Sequence, residues 1–192
     1  MIAIIKYNGG NTRSVQNALS RLHYESFITD NVQEIRNASH VILPGVGEAS
    51  SAMAYLKNKK LDTTIKQLKQ PFLGICLGLQ LMCTHSEEND TTCLGIFDVP
   101  VKKFPPVNIV PHMGWNNLTG TTGKLFASVS VKDDMYFVHS FYAEKGKYSI
   151  AGCEYILPFS AAMQKDNFYA TQFHPERSGI AGEQIIKNFL SL

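Results

Sequence analysis

Short apolar runs alternate with segments whose apolar positions recur every three or four residues, and this rhythm governs the first half of the chain. Ile2–Lys6, His40–Leu43 and Pro71–Ile75 are runs of the first kind, with Ser26–Thr29 a shorter one, and they read as buried strands. Between them, Arg13–His23 carries Val15, Leu19 and Leu22 at helical spacing. Val32–Asn37, Ala49–Lys57 and Asp62–Leu68 fit three further helices. Strands alternating with helices predict an α/β fold with a mostly parallel, helix-covered central sheet and a site at the carboxyl ends of its strands. The second half is richer in strands, around Gly114–Leu118, Asp134–His139, Tyr148–Ile156, Ser160–Gln164 and Phe168–Phe173, and it closes with a helix over Gly182–Leu190. His85–Cys93, polar and acidic, and Val99–Pro111, with four prolines, read as surface connections, the second open to ordering by a partner. No repeat, low-complexity tract or linker divides residues 1–192, so one domain is expected.

Candidate chemistry sits at two strand ends. Gly74-Ile75-Cys76-Leu77-Gly78 follows the apolar run Pro71–Ile75 and opens a predicted helix over Leu77–Cys83. A G-x-C-x-G at such a junction is the cysteine form of the nucleophile elbow, a sharp turn that holds the nucleophile at the sheet edge. Its glycines are expected to permit the tight turn and to keep side chains from crowding a substrate. A helix N-terminus beneath the sulfur favours negative charge, the form in which a thiol attacks. Far along the chain, His174 ends an alternating strand and Glu176 follows two residues later. A neutral imidazole can relay a proton between the thiol and a leaving amine, and a carboxylate can orient the ring. Each half alone has a plain alternative, a buried cysteine between packing glycines or a surface turn. Together, in this order and at strand ends, they point to cysteine-dependent acyl transfer.

Other positions are ambiguous on their residues alone. Leu77 N–H, just after the nucleophile, is a natural oxyanion donor. Pro44-Gly45-Val46-Gly47 fits a plain strand-ending turn, and Gln80, one helical turn past Cys76, fits a solvent-facing glutamine. Cys76, His139 and His174 lack the H-x-x-x-H or C-x-x-C spacing of a zinc set, and His139 is expected to be structural. His112, Trp115 and Asn116 fit a strand entry with a half-buried Trp.

Composition narrows the class. With 192 residues and 44% hydrophobic content the chain can build a sizeable core. A formal charge of +2 gives no reason to expect nucleic acid or an anionic membrane surface. No apolar run reaches the length of a membrane span, and Met1–Ile5 reads as a strand start rather than a signal peptide. Cys76, Cys83, Cys93 and Cys153 have no C-x-x-C spacing and are expected as reduced thiols in a cytoplasm, Cys83 as buried packing.

The elbow and the His174-Pro175-Glu176 segment resemble those of the class I (triad-type) glutamine amidotransferases. Three further segments, Tyr7-Asn8-Gly9-Gly10-Asn11 with Arg13-Ser14-Val15, Pro44-Gly45-Val46-Gly47, and Pro111-His112-Met113-Gly114-Trp115-Asn116, resemble the glutaminase subunits of imidazole glycerol phosphate synthases, enzymes of histidine biosynthesis. The resemblance runs from residue 1 to the last helix. It implies a flavodoxin-like fold and hydrolysis of glutamine through a thioester on Cys76, with His174 and Glu176 completing a triad. It adds Val46 N–H to Leu77 N–H as the oxyanion hole, and it gives glutamine binding to Gly47, Gln80, Ser140 and Phe141. Phe141 stands where Tyr is expected. His112, Met113, Trp115 and Asn116 would face a cyclase subunit, a (β/α)8 barrel, in a heterodimer, with Arg177, where relatives carry Lys, pairing across the interface. The released ammonia would let the cyclase make imidazole glycerol phosphate and aminoimidazole carboxamide ribonucleotide. No cofactor or metal is implied. Two alternatives stay open: a class I amidotransferase serving another acceptor, and a non-catalytic binding subunit that kept the fold.

Overall fold

Every residue of Ile2–Ile5 (β1) is buried, as a strand covered by helices on both faces requires. In the computed structural model, which describes residues 1–192, β1 pairs in parallel with β2 (Ser26–Thr29) and β3 (His40–Leu43). β3 pairs in parallel with β4 (Phe72–Ile75). The chain then builds β5 (His85–Ser86), β6 (Thr91–Thr92), β7 (Pro100–Lys103), β8 (His112–Asn117), β9 (Thr119–Thr121), β10 (Asp134–His139), β11 (Phe141–Ala143), β12 (Ser149–Glu154), β13 (Pro158–Lys165) and β14 (Phe168–Thr171). β14 returns to the centre and lies parallel to β4, giving an eight-stranded sheet in the order β2-β1-β3-β4-β14-β13-β12-β9. Its ladders are parallel as far as β14 and antiparallel beyond it. This is the mostly parallel, helix-covered α/β architecture that the apolar rhythm predicts.

Alternate residues of the strands feed two cores. Ala3 and Ile5 join α2 (Val32–Asn37), α3 (Ala49–Asn58), α4 (Leu61–Gln67) and α5 (Leu77–Met82) on one face. Ile2 and Ile4 join α1 (Thr12–Arg21) and α6 (Gly179–Leu190) on the other. Local signals start some of these helices. The Asn31 side chain accepts from the N–H groups of Gln33 and Glu34 to cap α2, and the Glu48 carboxylate does the same for Ser50 and Ser51 at α3.

Four expectations are corrected. His85–Cys93 and Val99–Pro111 are not mere surface connections, because β5, β6 and β7 join β11 in a second, four-stranded sheet that buries Val101 and Phe104. The prolines bracket β7 rather than interrupt it. Pro100 takes the first position of the strand, where its missing N–H costs no inner ladder bond. β8 begins at His112 and pairs with β10, and nothing covers the face that carries Met113, Trp115 and Asn117, so Trp115 is exposed rather than half-buried. β14 ends at Thr171, so His174 lies beyond a short buried bend rather than on the last rung.

The elbow glycines have a different cause from substrate crowding. A Cβ on Gly74 would strike Met82 Sδ and the Gly78 backbone, and a Cβ on Gly78 would strike the Leu43 carbonyl. They let α5 lie directly on β3 and β4. Gly78→Ala should therefore destabilise the fold by about 1–3 kcal/mol, the usual cost of overpacking against backbone. Gly146→Ala, where nothing lies within 4 Å of the added Cβ, should leave the midpoint of urea unfolding unchanged. Equal midpoints for the two variants would remove close approach as the reason for the glycine.

Candidate active site

β4 and β14 are parallel neighbours, so their carboxyl ends emerge side by side. Cys76 sits just past the first, in the left-handed region at φ 51° and ψ −104°, and its N–H donates to Thr171 O on the second at 2.7 Å. That strained turn presents the sulfur to the end of the sheet. The thiol lies 3.8 Å from Val138 O, and the Gln172 amide donates to it at 3.5 Å. α5 has only six residues, so its N-terminus is a weaker source of positive potential than the sequence implies.

His174 follows the bend after β14 and is held from behind. Its N–H donates to Tyr136 O at 2.9 Å, and its carbonyl accepts from the Ser178 hydroxyl at 2.7 Å. Its Nδ1 meets Glu176 Oε1 at 2.9 Å, with both side chains about 1% exposed. Its Nε2 is buried without a formed hydrogen bond, beside the Cys76 sulfur. Burial alone would push the imidazole's pKa down. The charge and proximity of the Cys76 sulfur, and then of Glu176, outweigh burial and raise it well above the ordinary imidazole value. The structure thus brings Cys76, His174 and Glu176 into one line of contacts.

The sulfur opens onto a cleft of about 330 Å³, at the small end of ligand pockets. Gly45, Val46 and Gly47 line it together with Leu77, Gln80, Val138, His139, Ser140 and Phe141. The β1–α1 loop buttresses the Gly45–Gly47 segment, since Tyr7 OH donates to Pro44 O at 2.7 Å and Gly10 N–H to Val46 O at 2.5 Å. Val46 N–H makes no hydrogen bond within the chain. Gly47 takes φ +134°, and a Cβ there would meet only ordinary neighbours, so backbone conformation rather than space calls for glycine.

Gln80 is not solvent-facing. It is buried and donates its amide to Phe141 O at 2.9 Å and to Gln172 Oε1 at 3.2 Å. Ser140 and Phe141 line the cleft beside it. His112 is also inside, stacked between Phe137 and Tyr155, whereas Met113 and Trp115 are exposed, Asn116 is half-buried and Arg177 is exposed without an ion pair inside the chain. His139 is buried against His112.

Three site residues escape the sequence reading. Glu88 lines the cleft, half-buried, with burial raising its carboxyl pKa against the opposing hydrogen bond from Ala49 N–H at 2.7 Å. It stands in the polar loop taken for a surface connection, and nothing local marks it. Gln172 bridges Gln80 and Cys76, and its place two residues before His174 in an alternating run was the available signal. Tyr7 is buried with its hydroxyl on Pro44 O, and the Tyr7–Asn11 segment carries part of the resemblance without marking a role for this ring.

The family model Glutamine amidotransferase class-I matches residues 3–192. The chain is 54% identical to the imidazole glycerol phosphate synthase subunit HisH of Bacteroides fragilis, over 100% of this chain and 99% of that protein. It is 46% identical to the imidazole glycerol phosphate synthase subunit HisH 2 of Legionella pneumophila, over 100% and 98%. Among solved structures, PurLQS from Thermotoga maritima superposes with a TM-score of 0.74 at 16% identity, over 99% of this chain and 97% of that one, a likeness of fold.

Burial lowers the pKa values of His112 and His139 from 6.5 to about 4 and about 3. The unfolded chain binds these protons first, so stability should fall as pH drops below 6.5 and keep falling toward 4. His174, with a raised value, acts in the opposite sense. Its contribution is complete below the ordinary imidazole value, shrinks as pH rises past that value and is gone above the raised one. The melting temperature should be lower at about pH 5 than at about pH 7, and His112→Asn should flatten that slope. An unchanged or higher melting temperature at the acid pH would contradict the neutral, buried assignment.

Proposed function

The chain belongs to the class-I glutamine amidotransferase family, among its imidazole glycerol phosphate synthase subunits, and from that premise we propose a cysteine-dependent glutaminase mechanism for it. The observation that carries the reading is Cys76 on a strained elbow beside the buried His174–Glu176 pair, with the sulfur on the wall of a cleft. Cys76 attacks the side-chain amide of glutamine, and the oxyanion rests on Leu77 N–H and Val46 N–H. His174, oriented by Glu176, protonates the departing ammonia and then draws a proton from the water that releases glutamate. Gly47, Gln80, Ser140 and Phe141 hold the substrate, and the Glu88 carboxylate at the same cleft is suited to its ammonium group. The free Val46 N–H and the glycine at 47 support a peptide that can turn toward the site.

The ammonia serves a cyclase subunit, read here as a (β/α)8 barrel in a heterodimer within the cytoplasm. That pair makes imidazole glycerol phosphate and aminoimidazole carboxamide ribonucleotide. The exposed Met113 and Trp115, with Asn116 beside them and His112 beneath them, support docking on that strand, and Arg177 is free to pair across the interface. The family match across residues 3–192 supports a single glutaminase domain. Four buried, unpaired cysteines suit a reducing compartment.

Cys76→Ser should fold and bind glutamine but lose glutamine-dependent synthesis, with added ammonium salt restoring the product. Near wild-type glutamine use in that variant would take Cys76 out of the mechanism. His174→Ala should abolish turnover, and Glu176→Gln should leave more activity than His174→Ala because the base remains. Glutamate release should be low for the free chain and rise with the cyclase and again with its nucleotide. One missing oxyanion donor costs about two to three orders of magnitude in rate, enough for a peptide turn at Val46 to act as a switch. Equal turnover in all three states would sink the switch.

A further inference from the structure

β8 and β10 pair so that His112 stands opposite His139, and the hydrogen bonds around them leave one protonation pattern. His139 Nδ1 lies 2.8 Å from the Phe141 carbonyl, which can only accept, so that nitrogen carries the proton. Its Nε2 is then a lone pair, and the proton shared across 3.0 Å must belong to His112 Nδ1. His112 Nε2 in turn presents a lone pair to the Asn116 amide at 3.3 Å. The same amide also reaches Glu154 O at 3.0 Å. A second proton on either ring would set N–H against N–H. Neither ring can turn away. His112 is sandwiched between Phe137 at 4.8 Å and Tyr155 at 4.1 Å, and His139 packs edge-on against Phe159 at 5.1 Å.

The line ends at the cleft. The Phe141 carbonyl takes two donors, His139 and Gln80, which occupies both of its lone pairs. Gln80 directs its amide nitrogen at Phe141 O and Gln172 Oε1, so its carbonyl oxygen is the atom left for a ligand. An acceptor at that place suits the N–H2 of a carboxamide and repels a carboxylate. We propose that His112 and His139 are positioning residues for the glutamine pocket, a single-tautomer pair that pins the Phe141 carbonyl and thereby sets which end of the Gln80 amide faces the substrate. The inference rests on the glutaminase reading for its kinetic consequence and on geometry alone for its tautomers. Burial keeps both rings neutral at neutral pH, as the pattern needs.

Two measurements test it. Long-range 1H–15N correlation spectra of the full chain should show both histidines as Nδ1–H tautomers, and an Nε2–H tautomer at either would overturn the pair. With the cyclase present, His139→Phe should raise the KM for glutamine about tenfold, as expected for one lost hydrogen bond to a buried carbonyl, with kcat changed much less. His139→Asn places an N–H where Nδ1 stood and should return KM to near the wild-type value. An unchanged KM in His139→Phe, or an equal rise in both variants, would overturn the positioning role. Absence of glutamate release by the unsubstituted complex would defeat the glutaminase reading instead, and the tautomer spectra would still report on the pair.

Discussion

Parallel pairing of β4 with β14 is the constraint on which the rest of the structure depends. The register sets Ile75 opposite Thr171, and the Cys76 N–H continues the ladder onto the Thr171 carbonyl. Parallel strands need a long crossover, and here the connection holds nine further strands and two smaller sheets. Both active ends must emerge on one side because both strands run the same way. A slip of one residue would turn Phe168–Thr171 inside out and carry His174 away from the sulfur.

Burial then acts in one direction on three imidazoles, and their partners decide the outcome. His174, His112 and His139 are all nearly inaccessible, and desolvation lowers the pKa of each. His174 faces a sulfur and a carboxylate, which outweigh that effect and favour the charged ring. His112 and His139 face a carbonyl, an amide and each other, and the one favourable partner, the Phe141 carbonyl, does not offset the burial. The site therefore has one imidazole suited to carrying a proton and, a few side chains away, a neutral pair suited to holding geometry.

Strands covered on both faces were legible because their apolar runs are uninterrupted. β2, β3, β10 and α2 fall where the periodicity puts them. β5, β6, β7 and β11 were not legible. They are two to four residues long and are strands only because each finds a partner far away, as β7 does in β5 and β11. Local pattern cannot record such a pairing, and the prolines around β7 hid it further. β8 was legible as a strand, but its outward face was not, since the exposure of Trp115 follows from no distant segment packing over that face.

Residue types and their order alone determined the α/β rhythm, the elbow cysteine at the end of one strand and the histidine and acid soon after another. These are local consequences of periodicity and turn chemistry. Only the tertiary structure decided that Gly74 and Gly78 serve helix packing, that Gln80 is buried, and that Glu88 lines the cleft. It also decided that His112 stacks inside, between two rings, against His139. Each of these depends on atoms from distant segments meeting in a dry interior, where a hydrogen bond or a close backbone approach has a value that no local window of sequence contains.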